Sequence, residues 1–377
     1  MLHIHNNSGP VLLVEPKNIG LLEDGSVAPK RGMVREIDAA VILAAAQAGL
    51  MVSVVTDKKV ASSNLVRDGV YHYSTVLGTK SNLSNYDTCV TESTDVPKPR
   101  AYNNVREIDT LPVFLSVGDC QRGVGKYLLH SNTQLQTLRE LSRCKNIREP
   151  FRFQEFIPCP SERYTSFRLL VSATGSILAA GLLYSTRKKS EAAVLDNTSK
   201  LRFDPSRSQA HDLLENPRSK YYLQATNALS NVSAGGNIIP LMGSGITRVF
   251  TAEEQKILVA HGIAPRDPCI PERLREHTLA INKFLSKRAG IVVGIDFIQH
   301  EKSKEYYYLE SNPGPGTKTY IACWPETVAQ LTAGIGRRFP GRLFITKGRR
   351  EELQTHREYK VLMQAALSEI TRQLSPT

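Results

Sequence analysis

The stretch Ile291-Val-Val-Gly-Ile-Asp-Phe-Ile-Gln-His-Glu-Lys-Ser-Lys-Glu-Tyr-Tyr-Tyr-Leu-Glu-Ser-Asn-Pro-Gly-Pro-Gly316 decides the fold. Apolar runs at 291–298 and 306–309 flank a charged segment at 300–305. Two short apolar runs around a polar turn predict an antiparallel hairpin. Asp296 lies inside the first run, and Glu310 and Asn312 close the second. A carboxylate among apolar residues is costly unless it is paired or bound to a metal. Glu310 and Asn312 are two residues apart, so on a strand they leave the same face. With Asp296 opposite them, three oxygen ligands converge. Mg²⁺ takes such ligands at about 2.0–2.1 Å, with nucleotide phosphates completing the octahedron. The alternative is an ordinary hairpin whose acids face water.

Moving upstream, residues 271–289 predict a helix with Pro271 in its first turn and Gly290 past its end. Leu274, Thr278, Ile281 and Leu285 recur at helical spacing and should face the core. Thr251-Ala-Glu-Glu254 reads as a capping box that opens another helix, ending near Gly262. Residues 231–241 form a glycine-containing stretch leading into a strand. Residues 187–217, polar and poor in apolar side chains, predict a loop over the site or an insertion. Residues 166–172 and 177–185 read as a hairpin about the turn at 173–176. Arg168 is the one charge within 167–171, and it either reaches water or serves an anion. Residues 151–157 form a strand, and 111–116 another. The latter enters Gly118-Asp-Cys-Gln-Arg-Gly-Val-Gly-Lys126, a return strand at 127–129 and a helix at 132–143. A glycine-rich hairpin lets backbone N–H groups approach phosphate oxygens, with Arg122 and Lys126 adding charge. Most glycine hairpins, however, are only turns.

The proline-rich joint at 95–100 marks a domain boundary. Before it, a strand at 11–14, a helix at 33–48 and a strand at 51–56 make a βαβ unit and hence a parallel sheet. The long connection at 17–32 lacks any phosphate-loop pattern, and 70–74 and 86–91 predict further short strands. At the other end, a helix is expected at 326–334. Tyr359, Met363, Leu367, Ile370 and Leu374 define a last amphipathic helix, suited to core packing or to a dimer contact.

The chain has 377 residues, 41% hydrophobic and 22% charged, which supports a globular core in two or three domains. Net charge is +12 and the pI about 9.4, which suggests an anionic partner; a nucleotide meets that as well as nucleic acid does, and because the basic residues are mostly spread along the chain nucleic-acid binding is not expected. The six cysteines include no Cys-x-x-Cys pair, which argues against a zinc site or a disulfide framework. The sequence shows neither a signal-peptide pattern nor an apolar run of spanning length. A reduced, cytoplasmic protein without membrane contact is expected.

Taken in order, these elements resemble the ATP-grasp superfamily, nearest its RimK-type carboxylate–amine ligases, from about residue 96 to 333. Gly294-Ile-Asp-Phe-Ile298 and Leu309-Glu-Ser-Asn-Pro-Gly314 are similar to the family's metal-binding pair. That resemblance implies Asp296, Glu310 and Asn312 as ligands of Mg²⁺ or Mn²⁺. Gln154-Glu-Phe-Ile157 resembles the hinge strand, where backbone groups of Glu155 and Ile157 would read the adenine edge of ATP. Glu162 is placed like the carboxylate that holds the ribose hydroxyls. Phe167-Arg-Leu-Leu-Val171 resembles the strand whose arginine faces the phosphates, which gives Arg168 that role. Tyr184-Ser-Thr-Arg187 is similar to the strand end where an arginine meets substrate. Asn231-Val-Ser-Ala-Gly-Gly236 resembles the turn beside the γ-phosphate. Arg122, Gly123, Gly125 and Lys126 are implied phosphate contacts. One position departs from the pattern: where the family's first strand ends in a phosphate-binding lysine, this chain carries Ser116. Either Lys126 or Arg122 substitutes, or nucleotide binding is weakened. Lys98 and Lys145 are candidates for a second nucleotide-binding lysine.

The implied fold class is α/β, with α+β in the grasp. A Rossmann-like domain is expected at 1–96, an ATP-grasp N-terminal subdomain at 97–157 and a C-terminal subdomain with the metal site at 158–335. A basic extension with an amphipathic helix follows at 336–377. The implied activity is ATP-dependent joining of a carboxylate to an amine through an acylphosphate, with small molecules or a peptide as substrates and homo-oligomerisation open. The alternatives are a non-catalytic or weakly active ATP-binding protein and a phosphotransferase on the same fold.

Overall fold

A computed structural model describes residues 94–117, 126–143, 151–190, 209–223, 236–285, 292–313 and 315–329. It also describes short strands within 11–72 and a few helical positions between 361 and 372. The largest antiparallel sheet takes its strands from both predicted hairpins. Strand β10 (Arg163–Ser172) turns at Gly175, whose φ of 96° suits a residue without a side chain, into β11 (Ile177–Lys188). Strand β13 (Val292–Gln299) turns through 300–305 into β14 (Tyr306–Pro313). With β12 (Asn237–Pro240) at the edge, the order is β12-β11-β10-β13-β14. β13 lies between β10 and β14, and its near-continuous burial matches its near-continuous apolar run.

Alternation along the strands divides this sheet's two faces. Phe167, Leu169 and Val171 on β10, with Val293, Ile295 and Phe297 on β13, join one core cluster. The helices α3 (Ala252–Ala260) and α4 (Glu272–Leu285) cover that face with Ile257, Leu258, Leu274, Ile281 and Leu285. The expected capping box is present: Thr251 Oγ1 accepts from the Glu254 amide at 3.2 Å, and the Glu254 carboxylate accepts from the Thr251 amide at 2.9 Å. Arg168, Gly294 and Asp296, at the intervening positions, share the opposite face.

The smaller sheet runs β6 (Ala101–Tyr102), β9 (Phe151–Glu155), β7 (Val113–Val117), β8 (Lys126–Leu129). Val113, Leu115 and Val117 point into a second core, with Leu135, Leu138 and Leu141 of helix α1 (Asn132–Leu141). Phe114 and Ser116 take the other face. Ser116 pairs with Lys126 across the strands, so both leave the same side.

Three differences from the sequence expectation have physical causes. The segment 187–217 is not one loop. β11 continues to Lys188, and Gln209–Glu215 forms helix α2. Its Ala210 and Leu214, one helical turn apart, bury in the smaller sheet's core with Tyr221 and Leu223. The connection at 17–32 contains an antiparallel pair, β2 (Ile19–Leu21) and β3 (Val27–Pro29). A short helix, α5 (Lys318–Cys323), follows the hairpin and was not expected; Cys323 donates to Ala180 O at 3.1 Å and Trp324 Nε1 to Leu178 O at 2.8 Å. Near the N-terminus, β1 (Val11–Val14) lies parallel to β4 (Met51–Val54) and β5 (Val70–His72) in the order β4-β1-β5, as a parallel sheet requires.

Residues 325–329 are helical. The predicted helix 33–48, strand 86–91, glycine turn 118–125, residues 231–235 and apolar stripe from Tyr359 to Leu374 lie outside the described residues. Near that stripe, the described Val361, Leu362 and Ala366 are helical and buried. Among the described residues no helix is long and apolar enough to cross a membrane.

Candidate functional site

One face of each sheet lines a cavity of about 170 Å³. The smaller sheet contributes Phe114, Lys126, Gln154 and Glu155, followed by Phe156 and Ile157. The larger contributes Tyr164, Thr165, Ser166, Arg168 and Leu183, and from the hairpin Asp296, Ile298, Leu309 and Glu310. A roomier hollow of about 560 Å³, beside Ile177, Met242 and Ile270, holds Asp267 and Arg275 but no facing pair of acids.

Strand register sets up the charged part of the cavity. Arg168 on β10 faces Asp296 on β13, which faces Glu310 on β14, so three ionisable side chains form one row across three strands. The hairpin reaches that row through an irregularity. Phe297 pairs with Tyr308 but Asp296 pairs with Glu310, which leaves Leu309 as an extra residue. Such a bulge re-aims the side chains that follow it. Tyr306 and Tyr308 therefore pack in the helix-covered core, whereas both Leu309 and Glu310 line the cavity.

Arg168 grips Asp296 with a two-pronged contact, Nε to Oδ1 at 2.7 Å and Nη2 to Oδ2 at 2.5 Å. Asn312 Nδ2 donates to Asp296 Oδ2 at 3.2 Å and to Glu310 Oε1 at 3.1 Å, bridging the two carboxylates. Burial pushes the Asp296 carboxyl above the ordinary carboxylate range, while Arg168 and, more weakly, Lys126 pull it down. Burial also opposes the charge on Arg168, but Asp296 and Glu310 outweigh it, so the guanidinium is held more firmly protonated than usual.

The donor set fits a hard divalent cation. Asp296 and Glu310 offer carboxylate oxygens in one cluster bridged by Asn312 Nδ2, whose amide also carries an oxygen, and so few protein ligands suit an ion that keeps water or phosphate in its shell. Among the described residues no group of three or more His, Cys, Asp and Glu side chains is placed to hold a metal. The set here counts an amide as its third member.

A second polar chain backs the cavity. Thr165, on its wall, lies 2.9 Å from His261 Nε2, and His261 Nδ1 lies 2.8 Å from Gln299 Oε1. The Gln299 oxygen can only accept, so Nδ1 carries the proton, and Nε2 accepts from the Thr165 hydroxyl. Burial lowers the His261 pKa to about 4; the Gln299 hydrogen bond opposes this, and the charges of Lys304 and Lys189 add to it.

The structure brings together Lys126, Gln154, Glu155, Phe156, Ile157, Arg168, Asp296 and Glu310 on the cavity wall, with Asn312 bonded to the last two acids. Three of the expected groups have protein partners of their own. Glu162, expected to hold a ribose, is absent from the wall; its side chain is 82% exposed and pairs with Lys188 at 3.4 Å. It sits in the turn before β10, where the chain points outward. The Glu155 amide, expected to read a base edge, is spent on Arg100 O at 2.8 Å, because 100–102 lies alongside β9; Glu155 can still offer a ligand an acceptor oxygen. Arg168, expected from its motif to face phosphates, meets the Asp296 carboxylate, since the register puts them opposite each other. Arg122, Gly123, Gly125, Asn231 and Lys145 lie outside the described residues, as does the Arg187 side chain, although its backbone belongs to β11. Lys98 lies 5.5 Å from the Tyr308 ring centre.

Sequence reasoning missed the apolar wall of Phe114, Tyr164, Leu183, Ile298 and Leu309. Ile298 could have been found, since it lies two residues beyond Asp296 on the same strand face. Leu309 could not, because only the bulge turns it inward.

No family profile and no curated protein matches the sequence. Among solved structures, the chain is similar to a RiPP-associated ATP-grasp ligase of Chryseobacterium gregarium in complex with ADP and a leader and core peptide. Identity there is 12% and the TM-score 0.41, covering 97% of this chain and 98% of that one. It is also similar to D-alanine–D-alanine ligase of Bacillus anthracis complexed with ATP, at 9% identity and TM-score 0.32, covering 82% and 88%. A third is the ATP-grasp ligase PsnB complexed with a minimal precursor, Mg and ADP, at 11% identity and TM-score 0.35; it covers 73% of this chain and only 58% of PsnB. These proteins are ATP-grasp ligases, the family whose motifs the sequence resembles. The functional reading below is built on the cavity itself.

Proposed function

We propose that the chain is an ATP-dependent carboxylate–amine ligase of ATP-grasp type, using Mg²⁺ or Mn²⁺. One observation carries this reading. One cavity between two antiparallel sheets combines apolar walls with Lys126, Arg168 and the paired carboxylates of Asp296 and Glu310, bridged by the Asn312 amide. Phe114, Phe156, Leu183, Ile298 and Leu309 suit a planar base, and acceptor groups near 154–157 suit its polar edge. Lys126 and Arg168 suit the phosphates.

In the proposed reaction, a substrate carboxylate oxygen attacks the γ-phosphorus of ATP. The bond to the β–γ bridging oxygen breaks and ADP leaves. An amine nitrogen then attacks the acylphosphate carbon, the C–O bond breaks, phosphate departs with the electron pair, and the nitrogen loses a proton. A bound Mg²⁺ supplies charge neutralisation and alignment of phosphoryl oxygens, and Asp296, Glu310 and Asn312 would hold it. The chain's own work is positioning and fixed charge. Lys126 anchors phosphate from β8, Arg168 balances charge from β10, and the sheet walls keep water from the acylphosphate. Arg187, Asn231 and the glycine turn with Arg122, Gly123 and Gly125 are assigned the substrate and phosphate contacts their motifs imply. The domain division at 96, 157 and 335 and the Rossmann-like character of the first domain belong to the same proposal.

Ser116 favours a second reading, a weakly active nucleotide-binding protein. The position of Lys126 directly across from it answers that objection with a cation on the same face. The test is ADP and phosphate release from ATP with a panel of carboxylates and amines, followed by mass analysis of the product. Release that needs both substrates, yields an amide and is abolished in Glu310→Gln supports ligation. A phosphorylated product points to a phosphotransferase, and no ATP binding at millimolar nucleotide overturns the enzyme reading.

A further inference from the structure

Asp296 and Glu310 stand directly opposite each other on neighbouring strands, and like charges in that relation repel. Among the described residues, the groups hydrogen-bonded to the Asp296 carboxylate are N–H donors: Nε and Nη2 of Arg168, and Nδ2 of Asn312. The same Asn312 nitrogen meets Glu310. A cation bound by Asp296 needs those carboxylate lone pairs, so it and the Arg168 fork compete for the same oxygens. The competing pair sits on the wall of the cavity rather than beneath it, with the Arg168 side chain 17% exposed.

We propose that Arg168 is a built-in counter-ion that neutralises Asp296 when the divalent cation is absent and is displaced by that cation, which frees its guanidinium for an anion in the cavity. This rests on the metal assignment made above. Metal binding and anion binding are then coupled through one side chain: the cation must first win Asp296 from Arg168, and its arrival supplies the phosphates with a second positive group. A buried guanidinium left without Asp296 needs another anion, so a phosphate stabilises the exchanged arrangement and tightens metal binding in return.

The test is Mn²⁺ binding to the full chain without nucleotide, followed by electron paramagnetic resonance up to millimolar metal, with thermal unfolding of the same samples. Arg168→Met should bind Mn²⁺ about tenfold more tightly than the unaltered protein or better, because the competing state is removed. It should unfold at a lower temperature without metal and recover most of that loss when Mn²⁺ is added. Arg168→Lys, which keeps a charge but loses the fork, should fall between the two and serves if the methionine variant does not fold. Asp296→Asn should not bind. Equal or weaker Mn²⁺ binding in both Arg168 variants, with binding still lost in Asp296→Asn, overturns the counter-ion role and leaves the metal site standing. Binding unaffected by Asp296→Asn removes the metal site itself. Binding in none of the proteins, Arg168→Met included, removes the metal site on which the proposal rests and ends it.

Discussion

At position 116 the chain carries a hydroxyl on the cavity face of β7, and the charge sits one strand away on Lys126. Cross-strand partners have Cβ atoms about 4.5–5.5 Å apart, a gap a lysine side chain easily spans. The phosphate-facing cation can therefore move between strands without leaving the site. Lys126→Met should weaken ATP binding by about 10- to 100-fold, the equivalent of one charge-assisted hydrogen bond of about 1.5–3 kcal/mol. The double variant Ser116→Lys/Lys126→Met should regain part of that loss. Calorimetry with ATP and Mg²⁺ reads both, and a double variant as weak as the single one would show that the two positions are not equivalent. His261 makes a different kind of prediction. Its folded pKa of about 4 lies below the unfolded value of about 6.5, so the unfolded chain takes up the proton first as pH falls. Stability is full above about pH 6.5 and is lost between there and about pH 4, by about 3 kcal/mol at most. Urea unfolding across that window should show a shallower pH dependence in His261→Gln. Equal slopes would mean the ring is not held neutral.

Among the elements, the β13–β14 hairpin and α5 show how local irregularity shapes the site. A regular hairpin continued from the Phe297–Tyr308 pair would set Leu309 against Asp296. The extra residue brings Glu310 there instead and adds Leu309 to the apolar wall. Beyond the hairpin, α5 docks directly on β11 and against the 3₁₀ turn Ser244–Thr247. Gly245 in that turn has no room for a side chain, since a Cβ there would fall on the Ala322 carbonyl. Gly245→Ala should therefore cost about 1–3 kcal/mol, as overpacking does. Chemical denaturation measures it, and a change within about 0.5 kcal/mol, the range of ordinary surface substitutions, would show that α5 can shift aside freely.

For the whole molecule, the consequence is that a ligand filling the cavity would touch both sheets. A nucleotide bound in the cavity stabilises the folded state by about 2.7 kcal/mol at a hundred times its Kd. Because the walls come from both sheets, hydrogen-exchange protection should rise in β7 and β9 as well as in β10 and β13 when Mg²⁺ and ATP are added. Protection confined to one sheet would place the nucleotide elsewhere.

Much of this arrangement could be read from the residues alone. Period-two and helical spacing, the 251–254 capping box and the turn at 173–176 located the strands and helices around the site, because those signals are local and each element satisfies its own backbone. Asp296, Glu310 and Asn312 stood out because buried carboxylates are expensive and need a partner. The tertiary structure decided what local signals could not express. Register set Arg168 against the Asp296 carboxylate, and Lys126 against Ser116. The bulge at Leu309 chose which face Glu310 would take. The approach of 100–102 spent the Glu155 amide, and an outward turn carried Glu162 to solvent. Each of these depends on which strand lies beside which, a property of pairing between residues far apart in the chain.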